Sequence, residues 1–212
     1  MTGVGRAVSA LAALALAVAS AAAAECGSFR LEDAAREVGI DFRHANGARG
    51  DKHLRETMGA GVAWLDYDGD GWQDLYWVQS DRGAGAGDRL YRNLGGGRFE
   101  EVELPALGDE YGHGVLAADV DGDGDPDLVL TNDGSDRLLR NEGDGGFALA
   151  EGVLESGGWS SSSALADLDG DGDLDLFVGG DLAGADLFHN DGAGRFTDVT
   201  AAQLDDPKAL GM

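Results

Sequence analysis

Positive charge is scarce in this chain. Only 15 lysines and arginines stand against 40 aspartates and glutamates, and the formal net charge at pH 7 is −25. That balance repels polyanions, so neither nucleic acid nor an anionic lipid surface is an expected partner. Cysteine is nearly missing as well: Cys26 stands alone and cannot close an internal disulfide, so stability must come from core and metal. After residue 24 no apolar run approaches the length of a membrane span, and no membrane insertion is expected. Catalytic spacing is also lacking. His44, His53, His113 and His189 fall in no metal or triad pattern, and Gly158-Trp159-Ser160-Ser161-Ser162 is not the G-x-S-x-G of a nucleophile elbow. A non-enzymatic protein is expected.

The apolar residues that do cluster lie at the start. Arg6 supplies a positive region, residues 7–19 are apolar, and Ala22-Ala23-Ala24 offers the small residues that signal peptidase accepts. Residues 1–24 therefore read as a cleavable signal peptide, and the mature chain as secreted or periplasmic. Arg6 is the only charge removed, which leaves the mature form at −26. Glu25 before Cys26 is the wrong residue for lipoprotein processing.

What the chain has in abundance is one acidic stretch, written three times. Asp66-Tyr67-Asp68-Gly69-Asp70-Gly71-Trp72-Gln73-Asp74 returns as Asp119-Val120-Asp121-Gly122-Asp123-Gly124-Asp125-Pro126-Asp127, and again as Asp167-Leu168-Asp169-Gly170-Asp171-Gly172-Asp173-Leu174-Asp175. Each copy puts carboxylates at positions 1, 3, 5 and 9 and glycines at 4 and 6. Four carboxylates in nine residues repel one another unless a cation sits among them. The donors are hard oxygens with no His or Cys in the loops, which favours calcium over zinc or copper, at about three sites.

Two rival readings fail. An EF-hand begins D-x-D-x-D-G but requires a bidentate Glu at position 12 and flanking helices. Position 12 is Trp77, Leu130 or Val178 here, and the flanks are short apolar runs. The D-x-D of a haloacid-dehalogenase-type phosphatase would fit the second copy, yet one catalytic aspartate does not need three copies.

Around each loop the order of segments is constant. Apolar runs enter it (Gly61–Leu65, Gly114–Ala118, Ser163–Ala166) and leave it (Leu75–Val78, Leu128–Leu130, Leu176–Val178). A third strand ends in Asn93, Asn141 or Asn190, and a fourth opens on Phe99, Phe147 or Phe196, always six residues on. A fixed interval of this kind is hairpin behaviour, because the turn sets the register. The asparagines read as turn formers whose side chains bond nearby backbone. Four short strands per unit, recurring after 53 and then 48 residues, predict an all-β fold: a partial β-propeller of about three four-stranded blades, each calcium loop joining its first and second strands. Trp64 and Trp77 read as core or inter-blade packing, and Trp72 as the best exposed tryptophan for a sugar platform.

The pattern D-x-D-x-D-G-x-x-D, an apolar strand, then N-x-G-x-G-x-F resembles the FG-GAP/VCBS repeats of integrin α-subunit headpieces and many bacterial exported proteins. The likeness covers about residues 59–200. Gly39-Ile40-Asp41-Phe42-Arg43-His44, Asn46-Gly47 and Glu56-Thr57-Met58-Gly59 are similar to the lead-in of ASPIC/UnbV-type proteins, the group containing cartilage acidic protein. The resemblance implies a seven-bladed propeller with calcium in some blades, used for adhesion or ligand binding. It also implies the ligands. These are Asp66, Asp68, Asp70 and Asp74 with the Trp72 carbonyl; Asp119, Asp121, Asp123 and Asp127 with the Asp125 carbonyl; and Asp167, Asp169, Asp171 and Asp175 with the Asp173 carbonyl.

The expected organisation is a lead-in over 25–58, repeats over 59–111, 112–158 and 159–204, and the start of a further repeat at 205–212. Within the lead-in, Phe29–Asp33 reads as an orphan strand suited to completing the last blade of a full ring. Three units cannot close a ring of four to eight blades. The expectation is an N-terminal fragment; an open three-blade arc and a ring of several chains are the alternatives, with self-association if the ring is incomplete. Function is read as protein binding or adhesion through an unidentified partner, with two alternatives: a carbohydrate-binding propeller, or an accessory part of a larger exported enzyme.

Overall fold

A computed structural model describes residues 30–51, 53–81, 87–104, 111–143, 145–150, 152–154, 158–180 and 184–203. The expected signal peptide, Cys26 and residues 205–212 lie outside them. Residues 30–34 form a unit of their own, with no regular secondary structure and an exposed Arg30–Glu32 ion pair of 3.3 Å.

From Ala35 onward the chain builds three four-stranded antiparallel sheets. The first holds β1 (Val62–Leu65), β2 (Asp74–Trp77), β3 (Arg89–Asn93) and β4 (Phe99–Val102) in chain order. The second holds β5 (Tyr111–Ala118), β6 (Asp127–Asp133), β7 (Arg137–Asn141) and β8 (Phe147–Ala150). The third holds β9 (Ser160–Ala166), β10 (Asp175–Gly180), β11 (Ala185–Asn190) and β12 (Phe196–Asp198), followed by a one-turn helix at Thr200–Gln203. Each acidic stretch joins the first two strands of its sheet. The six-residue interval is the hairpin register itself: Asn93 pairs with Phe99, Asn141 with Phe147 and Asn190 with Phe196. These are three blades of a partial β-propeller.

Two apolar seams hold the blades face to face. Ala63, Leu65, Tyr76 and Val78 of the first blade pack with Leu128, Leu130, Leu139 and Phe147 of the second. Val129 and Leu138, on the opposite face of the second blade, pack with Leu176, Val178 and Phe188 of the third. The middle sheet is therefore covered on both sides, which explains why Leu128-Val129-Leu130 is continuously apolar instead of alternating.

The second residue of each acidic stretch belongs to these seams. Tyr67 is 6% exposed, its ring stacked 6.4 Å from Phe147 of the next blade, and Val120 is 3% exposed among residues of the third. Leu168, with no described blade after it, is 51% exposed. Each corner thus carries an apolar plug for its successor.

The asparagines do more than form turns. Their Oδ1 atoms accept from Gly95, Gly143 and Gly192 two residues on, at 3.0, 3.0 and 3.2 Å, as the sequence suggests. But Asn141 Nδ2 also donates to the Tyr67 carbonyl at 2.8 Å, and Asn190 Nδ2 to the Val120 carbonyl at 2.7 Å. These bonds tie each blade to the acidic corner before it. Asn93 donates to Gln73 within its own blade. Arg140 adds a second tie, its Nη2 donating to the carbonyls of Ala193 and Gly194 in the third blade. Asn141→Ala leaves the buried Tyr67 carbonyl unpaired and should cost about 2–3 kcal/mol, against about 1 for Asn93→Ala at its more exposed site. Urea midpoints of the two variants check this; equal losses would remove the inter-blade tie.

Two expectations need correction. Residues 30–33 form no strand, and Phe29 lies outside the described residues; each of the three described sheets has its own fourth strand. Trp64 is not packed in a core: it is 57% exposed, because its side of β1 faces away from the second blade, with the Phe99 ring 6.3 Å away. Trp77 is covered, but by the lead-in, with Phe42 stacked on it at 4.9 Å. The same lead-in reaches β4, where the Phe99 N–H donates to the Val38 carbonyl.

Candidate metal centres

In all three corners the backbone is wrapped around its own carboxylates. The position-1 aspartate accepts from the position-6 glycine: Asp66 from Gly71 at 2.9 Å, Asp119 from Gly124 at 3.0 Å, Asp167 from Gly172 at 3.2 Å. Position 3 accepts from the N–H of position 5, and position 5 from that of position 7, the N–H of Trp72, Asp125 or Asp173. The position-4 and position-6 glycines all have φ between 69° and 102°, a range that a side chain strains. Each of the carboxylates at positions 3 and 5 spends one oxygen on this shaping. The other oxygen of Asp68 and Asp70 meets Arg92, and that of Asp121 and Asp169 meets Arg140 and His189, respectively.

Position 7 has a further use. A Cβ on Gly95 would come 3.2 Å from the Trp72 ring, and one on Gly143 or Gly192 would come 2.6 or 2.5 Å from the carboxylate of Asp125 or Asp173. The N-x-G glycine is thus the seat on which the position-7 side chain rests. Trp72 remains 52% exposed there.

Position 9 is the buried keystone. Asp74 accepts from the Tyr67 N–H at 3.0 Å and the Asn93 N–H at 2.7 Å; Asp127 from Val120 at 3.0 and Asn141 at 2.9 Å; Asp175 from Leu168 at 2.8 and Asn190 at 3.0 Å. One carboxylate thereby joins the start of its corner to the end of the third strand. Sequence reading assigned these residues to the metal alone, and the structural duty was missed.

Ligand atoms of Asp66, Asp68 and Asp70 lie within 4.8 Å of one another, as do those of Asp119, Asp121 and Asp127, and those of Asp167, Asp169 and Asp171. Calcium–oxygen distances of about 2.3–2.6 Å place opposite ligands up to about 5 Å apart, so the clusters have the right size. One further observation fits a cation: Asp66 Oδ1 is buried with no hydrogen-bond partner. Without an ion, Arg92 Nη2 partly balances the corner, 2.6 Å from Asp68 and 3.1 Å from Asp70. Arg140 stands likewise 3.6 Å from Asp121, and His189 3.4 Å from Asp169.

Burial pushes the Asp127 carboxyl up to about 6, and the charges of Asp121 and Asp123 push the same way against the two N–H donors. The folded, metal-free protein therefore holds this proton more tightly than the unfolded chain does. Its contribution favours folding at low pH and is lost as pH rises from about 4 through about 6. Calcium-depleted protein should melt higher near pH 5 than near pH 7, and saturating calcium should close the gap by keeping the carboxylate ionised. A higher melting point at neutral pH without calcium would contradict this.

A family model of the FG-GAP-like repeat matches three times, over residues 66–130, 119–178 and 167–211. The chain belongs to the FG-GAP-like repeat family. Each match begins on a corner and runs past the acidic stretch of the next blade, or to residue 211 for the last. Comparison with curated proteins finds no match. Among solved structures, the FG-GAP-like chain is similar to a lectin of Agrocybe aegerita, described as specifically recognising non-reducing terminal N-acetylglucosamine. The identity is 28%, the coverage 64% of this chain and 36% of the lectin, and the TM-score 0.47. The chain thus spans about a third of that lectin's length.

At the opposite ends of the sheets from the corners lies a polar cleft of about 290 Å³, lined by Asn46, Arg49, Asp51, His53, Asp81 and Tyr111. Its wall is fixed to the blades by Tyr111, which donates to the Asn46 carbonyl, and by the Ala45 N–H, which donates to Gln79 Oε1 at 2.6 Å. Sequence reading placed His53 in no metal or triad pattern and did not foresee the cleft.

Proposed function

We propose that this FG-GAP-like protein is an exported, calcium-stabilised propeller module that binds a protein partner and carries out no chemistry. The observation that supports calcium most is the partnerless, buried Asp66 Oδ1 inside a carboxylate cluster of calcium-shell dimensions. Bound calcium would neutralise and cross-link the corner, with Asp66, Asp68, Asp70 and Asp74 and their counterparts as the holding residues. Export is supported by the apolar N-terminal stretch, adhesion by the repeat family, and kinship with ASPIC/UnbV-type proteins by the sequence of residues 39–59. Calorimetric titration of calcium into the metal-free chain tests the reading. Three sites with heats that vanish on chelation are expected, and a flat titration would overturn it.

A carbohydrate ligand is the second reading, favoured by the cleft beside Tyr111. Carboxylates, an amide and a guanidinium around one cleft are what sugar hydroxyls require. Glycan-array binding lost in Asp81→Ala would select it over a protein partner.

A further inference from the structure

The three corners are not chemically equivalent. At the position just before the asparagine the first two blades carry Arg92 and Arg140, which can only place positive charge beside the carboxylates. The third carries His189, whose Nδ1 lies 3.4 Å from Asp169 Oδ2. Ligand atoms of Asp169, Asp175 and His189 come within 4.8 Å of one another, a second triad beside the all-oxygen set Asp167, Asp169 and Asp171.

We infer that the third corner is a mixed nitrogen–oxygen site that takes a borderline transition cation of the zinc type, through His189, Asp169 and Asp175. Two ligands of a tetrahedral shell with bonds of about 2.0–2.1 Å stand about 3.3 Å apart, close to the 3.4 Å between His189 Nδ1 and Asp169 Oδ2. Imidazole suits zinc, copper, iron and nickel, whereas calcium seldom recruits it over oxygen. Asp175 is fully buried and held by the N–H groups of Leu168 and Asn190, so its orientation is fixed before any ion arrives. His189 sits on β11, in a strand paired on both sides, so the nitrogen donor is likewise held by regular structure. Asp169 is common to both triads. Calcium and the transition cation therefore exclude one another at this corner.

The inference rests on the corners being cation sites but not on calcium being their ion. Zinc titrated into the calcium-free full chain, followed by calorimetry and by the imidazole nitrogen resonances, separates the two. Zinc should shift the His189 signals, and His189→Arg, the residue type of the other two blades, should weaken that binding about tenfold or more. Calcium heats from the first two corners serve as the internal control. Arg140→His should give the second corner the same zinc affinity, a gain that does not depend on the first variant folding well. Unshifted His189 resonances on zinc saturation, or zinc affinity unchanged in His189→Arg, would overturn the mixed site even with calcium binding intact. Zinc binding through His189 in a chain that ignores calcium would sink the calcium reading alone.

Discussion

Calcium added to the metal-free protein should raise its melting temperature by roughly 10 °C. A calcium site held at ten times its Kd gains about 1.4 kcal/mol, and three such sites about 4 kcal/mol. A domain of this size gains about 2–4 °C per kcal/mol. The structure explains why so much of this stability should depend on the ion. Fourteen aspartates stand in the three acidic stretches, where Arg92, Arg140 and His189 pair with four of them. Asp68→Ala should lose most of one site's share in calcium and little after chelation, since the ion pair it gives up with Arg92 is partly solvated and worth at most about 1 kcal/mol. Scanning calorimetry with and without chelator decides the matter. A melting point indifferent to calcium would leave the acidic corners as surface turns.

Asp127→Ala should behave differently, losing stability whether calcium is present or not. Removing this carboxylate strands the buried N–H groups of Val120 and Asn141, and each such orphan costs about 1–3 kcal/mol. The middle blade would lose the join between its corner and its third strand, as well as a ligand. Asp127→Asn should fare little better, because its amide turns a donor toward a donor. The contrast with Asp68→Ala is the diagnostic: one variant is rescued to near-normal by comparing both proteins in chelator, the other is not. If chelation erased the Asp127→Ala defect, position 9 would be a ligand only.

The strands and hairpin registers were legible because they are local. A six-residue interval from asparagine to phenylalanine fixes a turn, and an apolar run beside an acidic glycine turn fixes a strand end. What escaped sequence reading depends on residues far apart in the chain. Asn141 meets Tyr67 across 74 positions and Asn190 meets Val120 across 70, and no neighbouring residue announces either bond. The exposure of Trp64 depends on which face of β1 a neighbouring blade covers, which its own strand cannot say. One signal was present and passed over. Tyr67, Val120 and Leu168 are apolar residues lodged among carboxylates in every copy, which a purely metal-binding loop has no need of. The keystone role of position 9 was hidden for the opposite reason, since a ligand and a hydrogen-bond acceptor are the same residue type.

The backward reach of the asparagines gives the protein a direction in time. On a ribosome, each acidic hook emerges dozens of residues before the amide that fastens it, so newly made blades hang open until their successors follow. The hooks would then be fastened in chain order, first to last.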